Sequence, residues 1–187
     1  MKAEWNRFEN WLSKHAPNVL EGLFPGATAD EINEVEKKLG VKFPQSMRDF
    51  YSIHNGQDDE SPSFMRGTTF LKLDQIYSEW SVWKDLLDKD MFCDFESEPD
   101  PGIRNDWWNP KWIPLTYDGS GNHFCLDCDP AEGGSNGQII TMWHDSPERN
   151  VQAKSFEEWI RDFADGLESG EFVYSEDYFA IVPIEDV

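Results

Sequence analysis

Chemistry in this chain would have to come from a few places. His123, Cys125, Asp127, Cys128 and Asp129 crowd together, and imidazole with thiolate is a zinc-binding combination. The spacing works against a metal. In a strand, His123, Cys125, Asp127 and Asp129 share one face while Cys128 points to the other. The second Cys-x-x-Cys half of a zinc ribbon is missing, so a packed thiol and a solvated turn are the plainer reading. Asp127/Asp129 and Glu96/Glu98 are pairs of the kind that act as general acid and base across a glycosidic bond. With 37 Asp+Glu among 187 residues, such neighbours arise from composition alone. His144-Asp145 has the form of a base with its orienting carboxylate, but no nucleophile is placed beside it, and a turn before Pro147 accounts for it. The phosphate-cradling Gly-rich loop with Lys, Gly-x-Gly-x-x-Gly, Gly-x-Ser-x-Gly and His-Glu-x-x-His are all absent. We expect no enzyme, no cofactor and no metal.

The charge points elsewhere. Sixteen Lys+Arg against 37 Asp+Glu leave a formal net charge of −21, with an isoelectric point near 4.3. Direct nucleic-acid binding needs clustered cations and is excluded as an expectation. A strongly negative surface instead speeds encounter with a basic protein partner. Three segments are candidates for such contact: Asp58-Asp59-Glu60, the run containing Glu96, Glu98 and Asp100, and Asp106-Trp107-Trp108. Exposed tryptophans beside acids would serve as interface anchors. Adjacent Trp107 and Trp108 in a strand cannot face one core, so at least one belongs at the surface or in a second packed layer.

The chain nevertheless has to fold. It is 39 % hydrophobic and carries nine tryptophans, too apolar for a disordered acidic tail. Three cysteines suit a reducing compartment. The N-terminus interleaves charges with apolar residues and offers no signal-peptide core. A mean hydropathy of −0.67 and the lack of an apolar run of ~18 residues argue against a membrane span. A single cytoplasmic domain over residues 1–187 is expected, with its oligomeric state open.

Periodicity supplies the elements. Trp5, Phe8, Trp11 and Leu12 line one helical face, in a helix ending near His15, before Pro17. Thr28 and Glu31 form a capping box for a helix with Ile32, Val35 and Leu39 inside and Gly40 at its end. Pro44 opens a third helix facing inward through Met47, Phe50 and Tyr51, with His54 as a further candidate for that face, and Asn55-Gly56 stops it. A strand is expected over 68–73 and a helix over 75–92, capped by Asp74 and striped by Ile76, Trp80, Trp83, Leu86 and Leu87. Residues 94–106 are a surface loop with five carboxylates. Strands over 111–117, 123–129 and 138–143 make a meander. Ser155 and Glu158 cap a last helix that buries Phe156, Trp159, Ile160, Phe163 and Leu167. The apolar residues after 171 are expected to pack while the acids between them face water. Helices with a small antiparallel meander make an α+β domain.

The ordered series Gly26-Ala27-Thr28, Glu31-Ile32, Glu36, Leu39-Gly40, Phe43-Pro44, Phe50-Tyr51, Asn55-Gly56, Trp112-Ile113-Pro114, Asp118 to Asn122, Leu126-Asp127, Gly137-Gln138-Ile139 and Ser155-Phe156 resembles the SUKH superfamily, the Smi/Knr-type domains, over about residues 5–165. The acidic stretch 90–110 and the acidic-aromatic extension 170–187 depart from a minimal domain. The resemblance implies a compact α+β fold. In bacteria it implies a non-enzymatic immunity protein that occludes a cognate toxin domain, for which a basic nuclease would suit the charge. In fungi it implies an intracellular regulator of cell-wall synthesis that binds several endogenous partners. The immunity reading is the primary expectation and the regulator its alternative. Among the family positions, Glu36, Asn55, Gly56, Asp118, Gly121, Asn122 and Asp127 are expected to set the fold. Glu36, outside the apolar stripe of its helix, would either reach the Asp118–Asn122 turn or face water.

Overall fold

Trp5, Phe8 and Leu12 are fully buried along α1 (Lys2–His15), in a computed structural model that describes residues 1–187. Trp11 is only partly buried and packs against His15 at the rim in a tilted arrangement, ring centroids 4.8 Å apart. Pro17 does more than end the first helix. It starts a short second one, α2 (Pro17–Glu21), because its fixed φ suits a first helical position. The chain continues through β1 (Leu23–Pro25), α3 (Ala29–Leu39) and α4 (Gln45–Tyr51). The Thr28/Glu31 capping box forms as expected, and Gly40 ends α3 in the left-handed conformation, φ +66°.

The third helix stops sooner than its spacing suggests. His54–Gln57 is a strand, β2, antiparallel to β1. His54 therefore leaves the helical face and bonds the Phe24 carbonyl through Nδ1 and Glu9 through Nε2. Asn55 and Gly56 lie inside this strand, and Asn55 Oδ1 accepts from the Leu73 amide. Gly56 has φ +78°, and a Cβ there would lie 2.4 Å from the Lys72 backbone nitrogen. Gly56→Ala combines a left-handed alanine with a backbone clash, and should lower the unfolding free energy by about 2 kcal/mol in a urea titration. A loss within about 0.5 kcal/mol would show that the β2–Lys72 approach is not tight.

Next come β3 (Thr69–Phe70) and α5 (Leu73–Asp88). The expected 68–73 strand is cut to two residues because Gln75 Oε1 accepts from the Lys72 amide and starts the helix there, in place of a cap at Asp74. At its other end α5 gives way before Asp90, whose φ is +58°. The remaining elements are β4 (Glu98–Pro99), β5 (Trp112–Pro114), β6 (Thr116–Tyr117), β7 (His123–Asp127), β8 (Gln138–Met142), β9 (Glu148–Arg149), β10 (Val151–Ala153), α6 (Phe156–Ser169), β11 (Phe172–Ser175) and β12 (Ala180–Pro183). Strands β5, β7, β8 and β10 form one antiparallel sheet in the order β10-β8-β7-β5, while β6 turns away to pair with β3.

That sheet has two packed faces. Ile113, Leu126 and Ile139 join α1, α4 and α6 in a large core, where Trp5 stacks on Phe50 at 4.4 Å. Trp112, Cys125, Ile140 and Met142 face the opposite way, against Trp83 of α5 and against Ile103 and Trp108. Burial on both faces explains why every residue of β7 and β8 is buried. The five predicted inner residues of α6 are all buried. Beyond it, Phe172 and Ile181 join the core, but Tyr178 and Phe179 are more than half exposed at the β11–β12 turn. The mixed helices and small antiparallel sheets are the α+β class expected. No helix is long and apolar enough to cross a membrane.

Candidate functional site

The strand β7 brings His123, Cys125 and Asp127 to one face, as alternation requires, and then buries all three. His123 Nδ1 donates to the Thr116 carbonyl at 2.6 Å, so Nε2 accepts from the Trp83 indole at 3.3 Å. Burial draws its pKa down to about 4, against the backbone bond, and the ring is neutral. Burial pushes the Cys125 and Cys128 thiols up. Asp127 accepts from Gln138 Nε2 at 2.8 Å and from the Asp129 amide at 2.9 Å; burial raises its pKa against those bonds. Asp129 points away and pairs with Arg104. The Asp127/Asp129 carboxylates thus have separate structural tasks. No group of three His, Cys, Asp or Glu is arranged to hold a metal ion.

Asp118 organises the 118–122 turn. Its Oδ1 accepts from the Ser120 and Asn122 amides, and its Oδ2 from the Ser120 hydroxyl and the Asn122 side chain. Burial opposes its ionisation, but these bonds prevail and hold its pKa low. Asn122 Oδ1 then accepts from the His144 amide at 2.8 Å, and Gly121, φ +109°, lies against the His144 side chain. His144 therefore belongs to this turn, with Asp145 no nearer than 3.9 Å.

Glu36 does neither of the things its position suggested. It is 1 % exposed and accepts from Lys42 Nζ at 2.7 Å, Arg48 Nη1 at 2.6 Å and the Phe43 amide at 3.0 Å. The 41–44 link folds back over α3 and supplies Lys42 and the Phe43 amide, while α4 supplies Arg48, which hydropathy along the helix alone does not reveal.

The acidic candidates divide. Asp58, Asp59, Glu60, Glu96 and Glu98 are exposed, whereas Asp100 and Asp106 are half-buried and bound to Val151 and Asn109. Trp108 is buried between Trp80 and Trp83, the second packed layer, so it is not a surface anchor. Trp107 is half-buried, 4.7 Å from Phe95 and with the Arg149 guanidinium 5.0 Å from its ring centroid.

Two adjoining clefts take in Asp59 and Trp107 from these candidates. One, of about 410 Å³, is lined by Asp59, Gln75, Glu79, Tyr117 and Asp118 with small polar neighbours. Gln75 Nε2 donates to both oxygens of Asp59, at 2.8 and 2.9 Å. The other, of about 420 Å³, is apolar and shares Glu79 and Tyr117; α5 forms its near wall, and Phe95 and Trp107 stand on the far side. Asp59 and the 94–107 segment thus meet at one surface. Reading the chain missed Glu79 and Tyr117, which have no motif, and Val82, whose position off the helix stripe was the available signal. It also missed Arg149 and Gln57, the latter with four bonds that fasten residues 61–70.

Comparison with known proteins places this surface in context. The chain is 26 % identical to the cell wall assembly regulator SMI1 of Saccharomyces cerevisiae, over 94 % of this chain and 43 % of that protein. It is 25 % identical to the glucan synthesis regulatory protein of Neurospora crassa, over 94 % of this chain and 40 % of the relative. It is 26 % identical to the cell wall biosynthesis/cell cycle regulator smi1 of Schizosaccharomyces pombe, over 92 % and 37 %. The chain thus spans about two-fifths of the length of these relatives. They overturn the immunity-protein expectation and, with it, a toxin domain as the partner. Strong negative charge and a shared series of capping and turn residues are compatible with either branch of the superfamily, so the sequence features used could not separate them. From residue 26 to residue 162 the chain matches the SMI1/KNR4 family model (SUKH-1), and it belongs to that family.

Proposed function

We propose that this chain is a cytoplasmic, non-enzymatic binding module of the cell-wall-synthesis regulator type, which scaffolds several endogenous proteins. The observation that carries the reading is the similarity to fungal wall regulators across more than nine-tenths of the chain. A binding role is also favoured by what the side chains do. The titratable groups of β7 are buried, His123 and Asp127 in structural bonds, while carboxylates and apolar side chains meet at an open surface. The negative charge favours basic protein surfaces and disfavours phosphate polymers.

Affinity capture of the tagged chain from its native cells, at low and high salt with identification by mass spectrometry, tests this. Several endogenous proteins, among them components of wall synthesis, should be recovered and should diminish at about 0.5 M salt as surface charges are screened. Recovery of one partner alone, or a set unconnected with wall synthesis, would overturn the reading.

A further inference from the structure

The apolar cleft is built as a receptor. Its near wall is α5, through Val82, Trp83 and Leu86, and its far wall comes from Met91, Phe92, Phe95 and Trp107. Val82, Met91 and Phe95 are 57 %, 55 % and 53 % exposed, and the other large exposed hydrophobics all lie at 178–187. Single exposed apolar residues are ordinary, but a cluster around a concave aromatic floor marks an interaction site. That floor is held firmly. Trp83 is fixed by its bond to His123 and by stacking on Phe92 at 5.7 Å. Trp107 is held from beneath by Arg149, whose Nη2 donates to its carbonyl at 2.8 Å.

The surroundings define what fits. Residues 74–106 contain ten acidic side chains and three cations, Lys84, Lys89 and Arg104. Each cation is already paired with a carboxylate, of Asp88, Asp85 and Asp129 respectively. In the adjoining cleft, Asp59 and Asp118 are engaged by Gln75 and by Ser120 with Asn122. Glu79, on the wall common to both clefts, takes no hydrogen bond from the chain; Nε2 of neutral His123 lies 3.9 Å away. A second copy of this chain would bring −21 against −21 and is disfavoured.

We infer that this paired cleft docks a cationic, amphipathic segment of a partner protein, its large apolar side chain seated between Val82, Met91 and Phe95 and a neighbouring Lys or Arg reaching Glu79. This deepens the binding role proposed above and rests on it. Apolar burial supplies the affinity, the acidic rim steers the approach, and Glu79 selects for a cation at one end.

Selection from a random peptide display library, with counter-selection against a Val82→Ser/Met91→Ser double variant, is the test. Both positions are exposed, so the variant should fold like the parent. Recovered peptides should combine a large apolar residue with Lys or Arg. Their amide chemical-shift changes should map to α5, 91–107 and 117–121, and the double variant should bind at least tenfold more weakly. Glu79→Gln should weaken Lys- or Arg-bearing peptides several-fold and leave their norleucine analogues unchanged. No enrichment, acidic peptides, shifts elsewhere, or equal affinity for the double variant would overturn the proposal. So would concentration-dependent shifts at the cleft without peptide, which would assign it to a second copy. If the double variant captures the same cellular partners as the parent, the cleft assignment falls and the regulator reading stands. If the parent recovers no wall-synthesis partners, that reading falls, and the peptide selection still decides the cleft.

Discussion

Arg149→Ala should lower the unfolding free energy by about 4 kcal/mol, because a buried cation held entirely by carbonyl oxygens is removed together with its packing. Arg149 Nη1 donates to the Ser146 and Glu148 carbonyls at 2.6 and 2.7 Å, and Nη2 to that of Trp107 at 2.8 Å. No carboxylate balances it, and burial draws its pKa down to about 10, which leaves it charged at neutral pH. Hydrogen bonds from a charged donor contribute roughly 1.5–3 kcal/mol each, offset in part by the desolvation of the guanidinium. Arg149→Met keeps the volume and removes that desolvation cost, so it should be milder than alanine. Arg149→Lys retains the charge but lacks the planar fork that reaches three carbonyls, and should fall between. Denaturant midpoints give the order. Hydrogen exchange adds the location: β4 pairs with β9 through Glu98↔Glu148 and Pro99↔Arg149, so exchange in the alanine variant should rise first over 98–107. A loss below about 1 kcal/mol would mean that the three bonds do no more than offset the cost of burying the charge.

Arg149 also shows why the fold was more legible than the site. α6 could be read from its spacing because one apolar stripe faces one core, and Phe156, Trp159, Ile160, Phe163 and Leu167 are all buried. The same held for the Thr28/Glu31 cap, whose bonds span three residues. Legibility failed where partners come from far along the chain. Arg149 belongs to no motif, its acceptors include Trp107, and only folding brings the two together. Adjacency placed Trp107 or Trp108 at the surface or in a second packed layer, but could not assign Trp108 to the layer over Trp112 and Cys125. The segment 94–106 was legible as a loop, but not as one fastened by Ser97 to Asn105 and by Asp100 to Val151. Of the nominated acids, Asp59 reaches the paired cleft, while Asp100 and Asp106 serve the loop's own structure.

Glu36→Ala is expected to cost about 3 kcal/mol, with the loss distributed unevenly among its partners. The carboxylate joins α3 to the 41–44 link and to α4, accepting from Lys42, Arg48 and the Phe43 amide. Its side chain is fully buried, that of Arg48 is 22 % exposed and that of Lys42 is 80 % exposed. Removing Glu36 therefore strands the Phe43 amide and Arg48 Nη1 without an acceptor, whereas Lys42 returns to water. Lys42→Ala should cost under about 1 kcal/mol, as exposed pairs do. Arg48→Ala should lie between the two, since Asn33 also loses its donor. Burial alone would raise the Glu36 pKa, but Lys42, Arg48 and the Phe43 amide outweigh it and hold the carboxyl below its ordinary value. A lowered folded-state pKa stabilises the native protein at pH values above the unfolded-state pKa, and this contribution is lost as pH falls through the folded-state value. The parent and Glu36→Gln should therefore differ most near neutral pH and converge in acid. Denaturation midpoints measured from pH 7 downward test this, and a gap that stayed constant or widened in acid would show that the ionised carboxylate is not what joins the two helices.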